Sequence, residues 1–293
     1  MENWDEIRTA YQVARMGTVS GAAGVLGVHH ATVIRHIDSL EARLGEKLFQ
    51  RHARGYTATE AGRDLLAVAQ VTEDQFMQLA NRIKGHGETV TGDLVVTAIA
   101  DFGGFVSRAL VKFQHAHPGL IVRLLTGPRL FRLDYGEAHV ALRAGAAPSE
   151  PDYVVQPFLR MGSALYASRS YVEKFGLPQS DADLKDHCFV GSHDLDSRAP
   201  FYSWLNANVP AEKITYRVTE YVSGVFAVQA GAGLGFVSTL EAKNFPDLIE
   251  VIPSRPEWDT PTWLVTHVDL HRTLKVQRFL AHLKADVPNW KAE

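Results

Sequence analysis

The sequence predicts an N-terminal winged helix-turn-helix, a long connecting helix and a C-terminal α/β domain folded as two lobes. Three observations carry that prediction. Apolar residues recur at helical spacing across 4–44, a near-heptad run follows across 61–83, and short apolar runs alternate with helical stretches from Asp93 onward. At 293 residues the chain exceeds what one core of average size uses, so two domains and a connector are expected.

The first helical stripe is Trp4, Ile7, Tyr11 and Ala14, and it stops at Gly17. Ser20 is placed to cap a second short helix, whose Ala22, Ala23 and Leu26 suit a close helix contact and which Gly27 closes. Val33, Ile37, Leu40 and Leu44 give a third helix one buried stripe, with His30, Thr32, Arg35, His36 and Ser39 on the other face. Two helices across a tight glycine turn, the second polar opposite its buried stripe, make the helix-turn-helix pattern. Residues 45–59 read as turn, strand, basic tip and returning strand, which is a wing.

Thr59 is expected to cap a helix from 60 to about 84 with Leu65, Val68, Phe76, Leu79 and Ile83 along its seam. Such a seam serves either dimerisation or packing on its own domain. Glycines in 85–92 break the helix and supply a hinge. Beyond it, strands alternating with helices imply a parallel sheet with crossover helices, and a second set beginning near Gly162 implies a second lobe. The expected boundaries are 1–59 for the winged domain, 60–91 for the helix and hinge, and 92–293 for the α/β domain. Within the last, lobe I takes about 92–157 and 262–293, and lobe II about 158–261.

Several function classes are excluded by what the chain lacks. There is no nucleophile elbow, zinc-protease helix or phosphate loop, so no enzyme, cofactor or metal is expected. The glycines at 231, 233 and 235 lack the spacing of a dinucleotide fingerprint and read as a tight helix-to-strand turn. A single cysteine, Cys188, rules out an intramolecular disulfide and thiolate clusters, and reads as a structural thiol. No run approaches the roughly 18 apolar residues of a membrane span, so a cytoplasmic protein with no membrane partner is expected. The net charge of -3 gives no global basic signature, so any nucleic-acid contact has to rest on local placement.

Local placement does support one. Ala22-Ala23, Leu26, Val28, Val33, Ile37, Leu40-Glu41, Leu44-Gly45, Leu48-Phe49 with Arg51, and Thr59-Glu60-Ala61-Gly62 together resemble the LysR-type transcriptional regulators. Softer similarity extends through most of the remaining chain. The resemblance implies a periplasmic-binding-protein-like sensor with a small-molecule effector between its lobes. It also implies a homodimer or dimer of dimers on a double-stranded operator, with RNA polymerase as a further partner. Where the family commonly carries Ser-Gln-Pro-Ala-Val-Ser, this chain has His29-His30-Ala31-Thr32-Val33-Ile34, so its base preference is not inherited.

DNA binding needs phosphate anchors and base-facing groups. The expected set is Ser20, His29, His30, Ala31, Thr32, Ile34, Arg35, Arg51, Arg54 and Thr57. His30 can donate to guanine N7 or O6 or meet a phosphate, and Ile34 either presses on a thymine methyl or packs against the neighbouring helix. Because histidine ordinarily titrates near pH 6.5, affinity is expected to rise as pH falls from about 7.5 to 6. Effector contacts are expected at strand C-terminal ends, namely Ile99, Ala100, Asp101, Thr126, Arg143, Gly191, Ser192 and His193, with Ser223 and Gly224 as backbone donors.

Overall fold

The computed structural model describes residues 3–52, 55–83, 89–127, 129–178 and 180–292. Arg54 and the first part of the expected hinge, 84–88, lie outside them. The first three helices are α1 (Trp4–Met16), α2 (Val19–Leu26) and α3 (His30–Leu44), followed by the hairpin β1 (Phe49–His52) and β2 (Gly55–Ala58). Ala10, Val13, Ala22, Val33, Ile37, Leu40 and Leu48 are buried together, so the α3 stripe meets the core as far as Leu40 while Leu44 is exposed. α1 is rotated from the expected stripe, burying Ala10 and Val13 in this core with Ile7 and Ala14 partly buried and Trp4 exposed. The cap of α2 is Thr18 and not Ser20. Thr18 follows Gly17 in an extended conformation and its hydroxyl accepts from the Gly21 amide at 3.0 Å, which leaves Ser20 inside the first turn, exposed.

The long helix α4 (Glu60–Ile83) is capped by Thr59, whose hydroxyl accepts from the Gly62 amide at 3.1 Å. The α/β domain then opens with β3 (Gly92–Ala98), α5 (Gly103–Ala116), β4 (Leu120–Thr126), β5 (Val140–Ala144) and β6 (Tyr153–Met161). The chain crosses at Gly162 into β7 (Ser163–Ser168), α6 (Arg169–Phe175), β8 (Val190–Ser192), α7 (Pro200–Asn208), β9 (Tyr216–Val218), α8 (Tyr221–Gln229), β10 (Gly235–Ser238) and β11 (Leu248–Ile252). It returns through β12 (Thr260–His267), α9 (Val268–His271) and α10 (Leu274–Ala292).

Lobe I is a five-stranded sheet of order β4-β3-β5-β12-β6, covered by α5 and α10 over a core that includes Val96, Phe102, Phe113, Phe279 and Trp290. β3 runs parallel to β4 and β5, but β12 is antiparallel to both its neighbours, so the expected all-parallel sheet is mixed. The reversal follows from the route, since the chain re-enters lobe I from lobe II. The sequence pattern does not announce β6 because Pro157 interrupts it, and an edge position is where a strand tolerates proline. Lobe II pairs β10-β7-β11 antiparallel and β8-β9 parallel around Phe189, Leu205, Phe236 and Trp258.

The winged domain and α4 rest on lobe I of the same chain. Arg15 at the end of α1 pairs with Asp93 at the start of β3, and Arg123 from β4 reaches the same carboxylate at 3.3 Å. The Gln70 amide of α4 lies 2.9 Å from His139 Nε2, while the Val95 amide donates to His139 Nδ1 at 3.0 Å.

Candidate DNA interface and ligand cleft

α3 buries Val33, Ile37, Leu40 and Glu41 and leaves His30, Ala31, Ile34 and Arg35 exposed, with Thr32 half-buried between them. His29 occupies the N-cap without a side-chain capping bond, so its imidazole is not committed to the helix terminus. Ser20, His29, His30 and Ala31 line one open concave surface with Gly24 and Gly27 of the turn. Two residues of the expected polar face belong elsewhere. His36 bonds to the Thr9 hydroxyl at 2.9 Å and Ser39 donates to Glu6 at 3.0 Å, so both turn toward α1.

The charges around this helix are mostly spoken for. Glu6 is buried, which alone would raise its pKa, but bonds from Arg43 and Ser39 outweigh that and hold it below the ordinary carboxylate range. Glu41 behaves alike, with burial opposed by Lys47 and by the Leu48 and Phe49 amides at 3.0 and 3.2 Å. That carboxylate therefore pins the start of the wing to the recognition helix. Arg51 is held by Asp38 at 2.6 Å and Glu41 at 3.0 Å, chiefly the Asp38 bond raising its pKa further. Its guanidinium also lies 5.4 Å from the centre of the Tyr56 ring. Among the described residues Arg35 has no such partner, which leaves it available to a phosphate. Thr57 is exposed on β2 opposite Gln50.

Along α4, Val68, Phe76, Leu79 and Ile83 are exposed at 65%, 52%, 44% and 76%, whereas Leu65 packs on the winged core. Phe76 meets an intrachain ring, that of Trp4 at 5.3 Å.

Between the lobes lies a cavity of about 180 Å³. Ile99, Ala144 and Gly145 reach it from the C-terminal ends of β3 and β5, as the strand-end rule for parallel sheets anticipates. Of this wall only Ile99 was expected; Ala144, Gly145, Met161, Ser163, Arg198, Ala199, Phe201, Tyr221, Ser238 and Thr260 were missed by sequence reasoning. β7 and β12 are antiparallel to their neighbours, so Ser163 and Thr260 enter from strand starts, where that rule does not look. Arg198 and Phe201 flank the start of α7, and a Pro at its first position was the one signal that could have located them.

Apart from Asp101, the other expected effector residues do not line this cavity. Ala100 lies in a short turn beside it, and Asp101 falls where no side chain is described. Thr126 is exposed at the end of β4. Arg143 turns to the far side, donating to the Phe131 carbonyl at 3.2 Å and lying 5.2 Å from the Tyr153 ring centre. Gly191 backs onto Ile214, the Ser192 hydroxyl accepts from the Asp194 amide at 3.1 Å, and His193 is exposed beyond β8. In α8, Ser223 is exposed and Gly224 faces Val218 and Val190.

Tyr221 carries one further group into the cleft's surroundings. Its hydroxyl accepts from the Ser238 amide at 2.7 Å and bonds Glu241, whose pKa is raised by burial in spite of that bond. Among the described residues no group of three or more metal-binding side chains occurs, and no helix is long and apolar enough to cross a membrane.

Known proteins match both halves. Residues 4–63 fit the model of bacterial regulatory helix-turn-helix proteins of the lysR family, and residues 87–288 fit the LysR substrate binding domain. The probable HTH-type transcriptional regulator LtrA of Klebsiella pneumoniae is 23% identical over 94% of this chain and 92% of its own. The transcriptional activator TtdR of Escherichia coli is 23% identical over 96% of this chain and 92% of its own. Among solved structures, a full-length OxyR variant from Pseudomonas aeruginosa superposes with a TM-score of 0.71 at 16% identity, covering 98% of this chain and 95% of that one. CrgA, a LysR-type regulator from Neisseria meningitidis, gives 0.60 at 22% identity, covering 98% and 99%.

Proposed function

Because the chain belongs to the LysR family of transcriptional regulators, we propose that its histidine-bearing helix reads operator DNA and that a small molecule in the inter-lobe cavity sets this binding. The observation that carries the reading is the exposed row His29, His30, Ala31, Ile34 and Arg35 on a helix whose opposite face is fully packed. A helix held in this way presents its N-terminal side chains to base edges in a major groove. Arg35 supplies a phosphate anchor. Arg51, tied to two carboxylates, acts first as a brace for the wing and contacts DNA only by giving up those bonds.

The exposed apolar seam of α4 supports a dimer in which two such helices cover one another, placing two winged domains on one operator. That arrangement implies half-sites one or more helical turns apart, and a protein working in the cytoplasm where its operator lies.

Footprinting of the full chain on the DNA upstream of its own gene, with and without a metabolite panel, tests the reading. A protected site that changes on adding one metabolite is the expected result, and His30→Ala should relax its sequence preference. Absence of any specific protection would sink it. Leu79→Glu combined with Ile83→Glu should shift the sedimenting species toward monomer, and an unchanged oligomer would remove α4 as the interface.

A further inference from the structure

We propose that the inter-lobe cavity selects a small organic monoanion, a carboxylate on a compact apolar body, with Arg198 as the group that recognises its charge. This rests on reading the cavity as the effector site and adds the chemical class that the site accepts.

The wall is of mixed chemistry. Ile99, Met161 and Phe201 supply apolar surface, while Ser163, Ser238 and Thr260 bring hydroxyls to the wall. Among the described residues one ionised side chain completes it. Arg198 is exposed at the cavity, and no ion pair or hydrogen bond engages it among those residues. Arg15, Arg43, Arg51, Arg123, Arg132 and Arg160, by contrast, all meet carboxylates. A guanidinium left without a counter-ion beside apolar walls is matched by a planar carboxylate, which it binds through two parallel N–H bonds.

The polar groups favour the same ligand. The Tyr221 hydroxyl is occupied by the Ser238 amide and by Glu241, so that ring contributes a face and little hydrogen bonding. Thr260 Oγ1 is buried and has no hydrogen-bond partner among the described residues, and the Ser163 side chain is buried in the wall as well. No acidic side chain lines the cavity among the described residues, so the charge those residues present favours an anion over an ammonium ligand. Size narrows the class further. At about 180 Å³ the cavity is smaller than the roughly 300 Å³ at which drug-sized ligand pockets begin. Nucleotides and sugar phosphates are therefore too large, and a monocarboxylate of a few carbons fits.

Calorimetric titration of the full chain with branched and straight C3 to C6 monocarboxylates, and with the primary amides and amines of the same skeletons, tests this directly. At least one acid should bind, with its amide and amine weaker by tenfold or more. Arg198→Ala should abolish that preference, and Arg198→Lys should restore part of it, since a lysine keeps the charge and loses the fork. Arg198 lies at an exposed position, so neither variant should disturb folding, which a thermal melt checks. Binding of amides or amines as tight as the acids overturns the proposal, as does an unchanged acid affinity in Arg198→Ala or failure of every acid to bind. A specific footprint of the ligand-free chain separates these cases. If the footprint stands while no acid binds, the ligand class alone is wrong; if no footprint forms, the regulator reading itself falls.

Discussion

Two cavities lie at opposite ends of the same pair of strands, and they are built on opposite principles. The cleft between the lobes is entered by Ile99 after β3 and by Ala144 and Gly145 at the end of β5. The other cavity, about 410 Å³, opens at the start of those strands, where α1 and α4 meet lobe I beside Asp93, Val95 and His139. It is the larger of the two, and several of its lining charges are paired: Asp93 holds Arg15 and Arg123, Glu137 holds Arg129, and Lys275 donates to the Asp93 carbonyl. The cleft instead carries Arg198 without a counter-ion among the described residues. On the proposed reading of the cleft, volume is a poorer guide to a ligand site than an unmet hydrogen-bonding or charge demand beside apolar walls. The larger cavity is a joint between domains.

The glycines at the two ends provide the sharpest way to break this contrast. Gly136 has φ +64, and a Cβ there would lie 2.5 Å from Gln70 Oε1 and 3.3 Å from the Ala67 Cα of α4. Gly136→Ala combines backbone strain with a clash against a helix, so a loss of about 3 kcal/mol is expected. Calorimetric melting should show it, with faster proteolysis between α4 and β3. Asp93→Ala should cost about 1.5 kcal/mol, less than a fully buried pair because Arg15 and Arg123 retain access to water. An unchanged melt and proteolysis rate in both variants would show that the domains do not rest on one another in solution.

Gly145 has φ +92, but a Cβ added there would meet nothing within 4 Å, so Gly145→Ala should cost only about 1 kcal/mol from backbone strain. Any larger loss would mean the cleft is packed more tightly than its geometry shows. The smallest effect concerns pH. Asp286, buried but bonded by Lys112, Asn289 and Trp290, is held down at about 2, so its stabilisation is present above the ordinary carboxylate value of 3.8 and is lost as pH falls toward about 2. Glu241 beside the cleft has the opposite sign, because burial raises its pKa and its contribution is lost as pH rises through that raised value. Glu241→Gln should therefore raise the melting temperature slightly at pH 8 and not at pH 4. Equal effects at both values would show that Glu241 is not desolvated.

The winged domain was legible because its signals are local. Stripes at Val33, Ile37 and Leu40, glycine stops at 17, 27 and 45, and the Thr59 cap each depend on neighbours within a turn or two of the chain. Failures there were equally local, such as Thr18 displacing Ser20 as the cap. The cleft was legible only where the sheet is parallel. Ile99 was anticipated, but Arg198, Tyr221 and Thr260 come together from segments far apart in sequence, across a change of strand direction that periodicity does not reveal.

By itself, then, the amino-acid order determined most element types, the Val33, Ile37 and Leu40 face of the recognition helix and the family, since hydrophobic periodicity and capping chemistry are read over a few residues. Only the tertiary structure decided which charges remain free. Arg51 and Arg143 look in sequence like anchors for an anion, and each is consumed by partners that folding brings to it. Arg35 and Arg198 look no different, and folding leaves them without a counter-ion among the described residues. The physical reason is that availability belongs to a side chain's surroundings, and those are set by contacts between segments the sequence keeps apart.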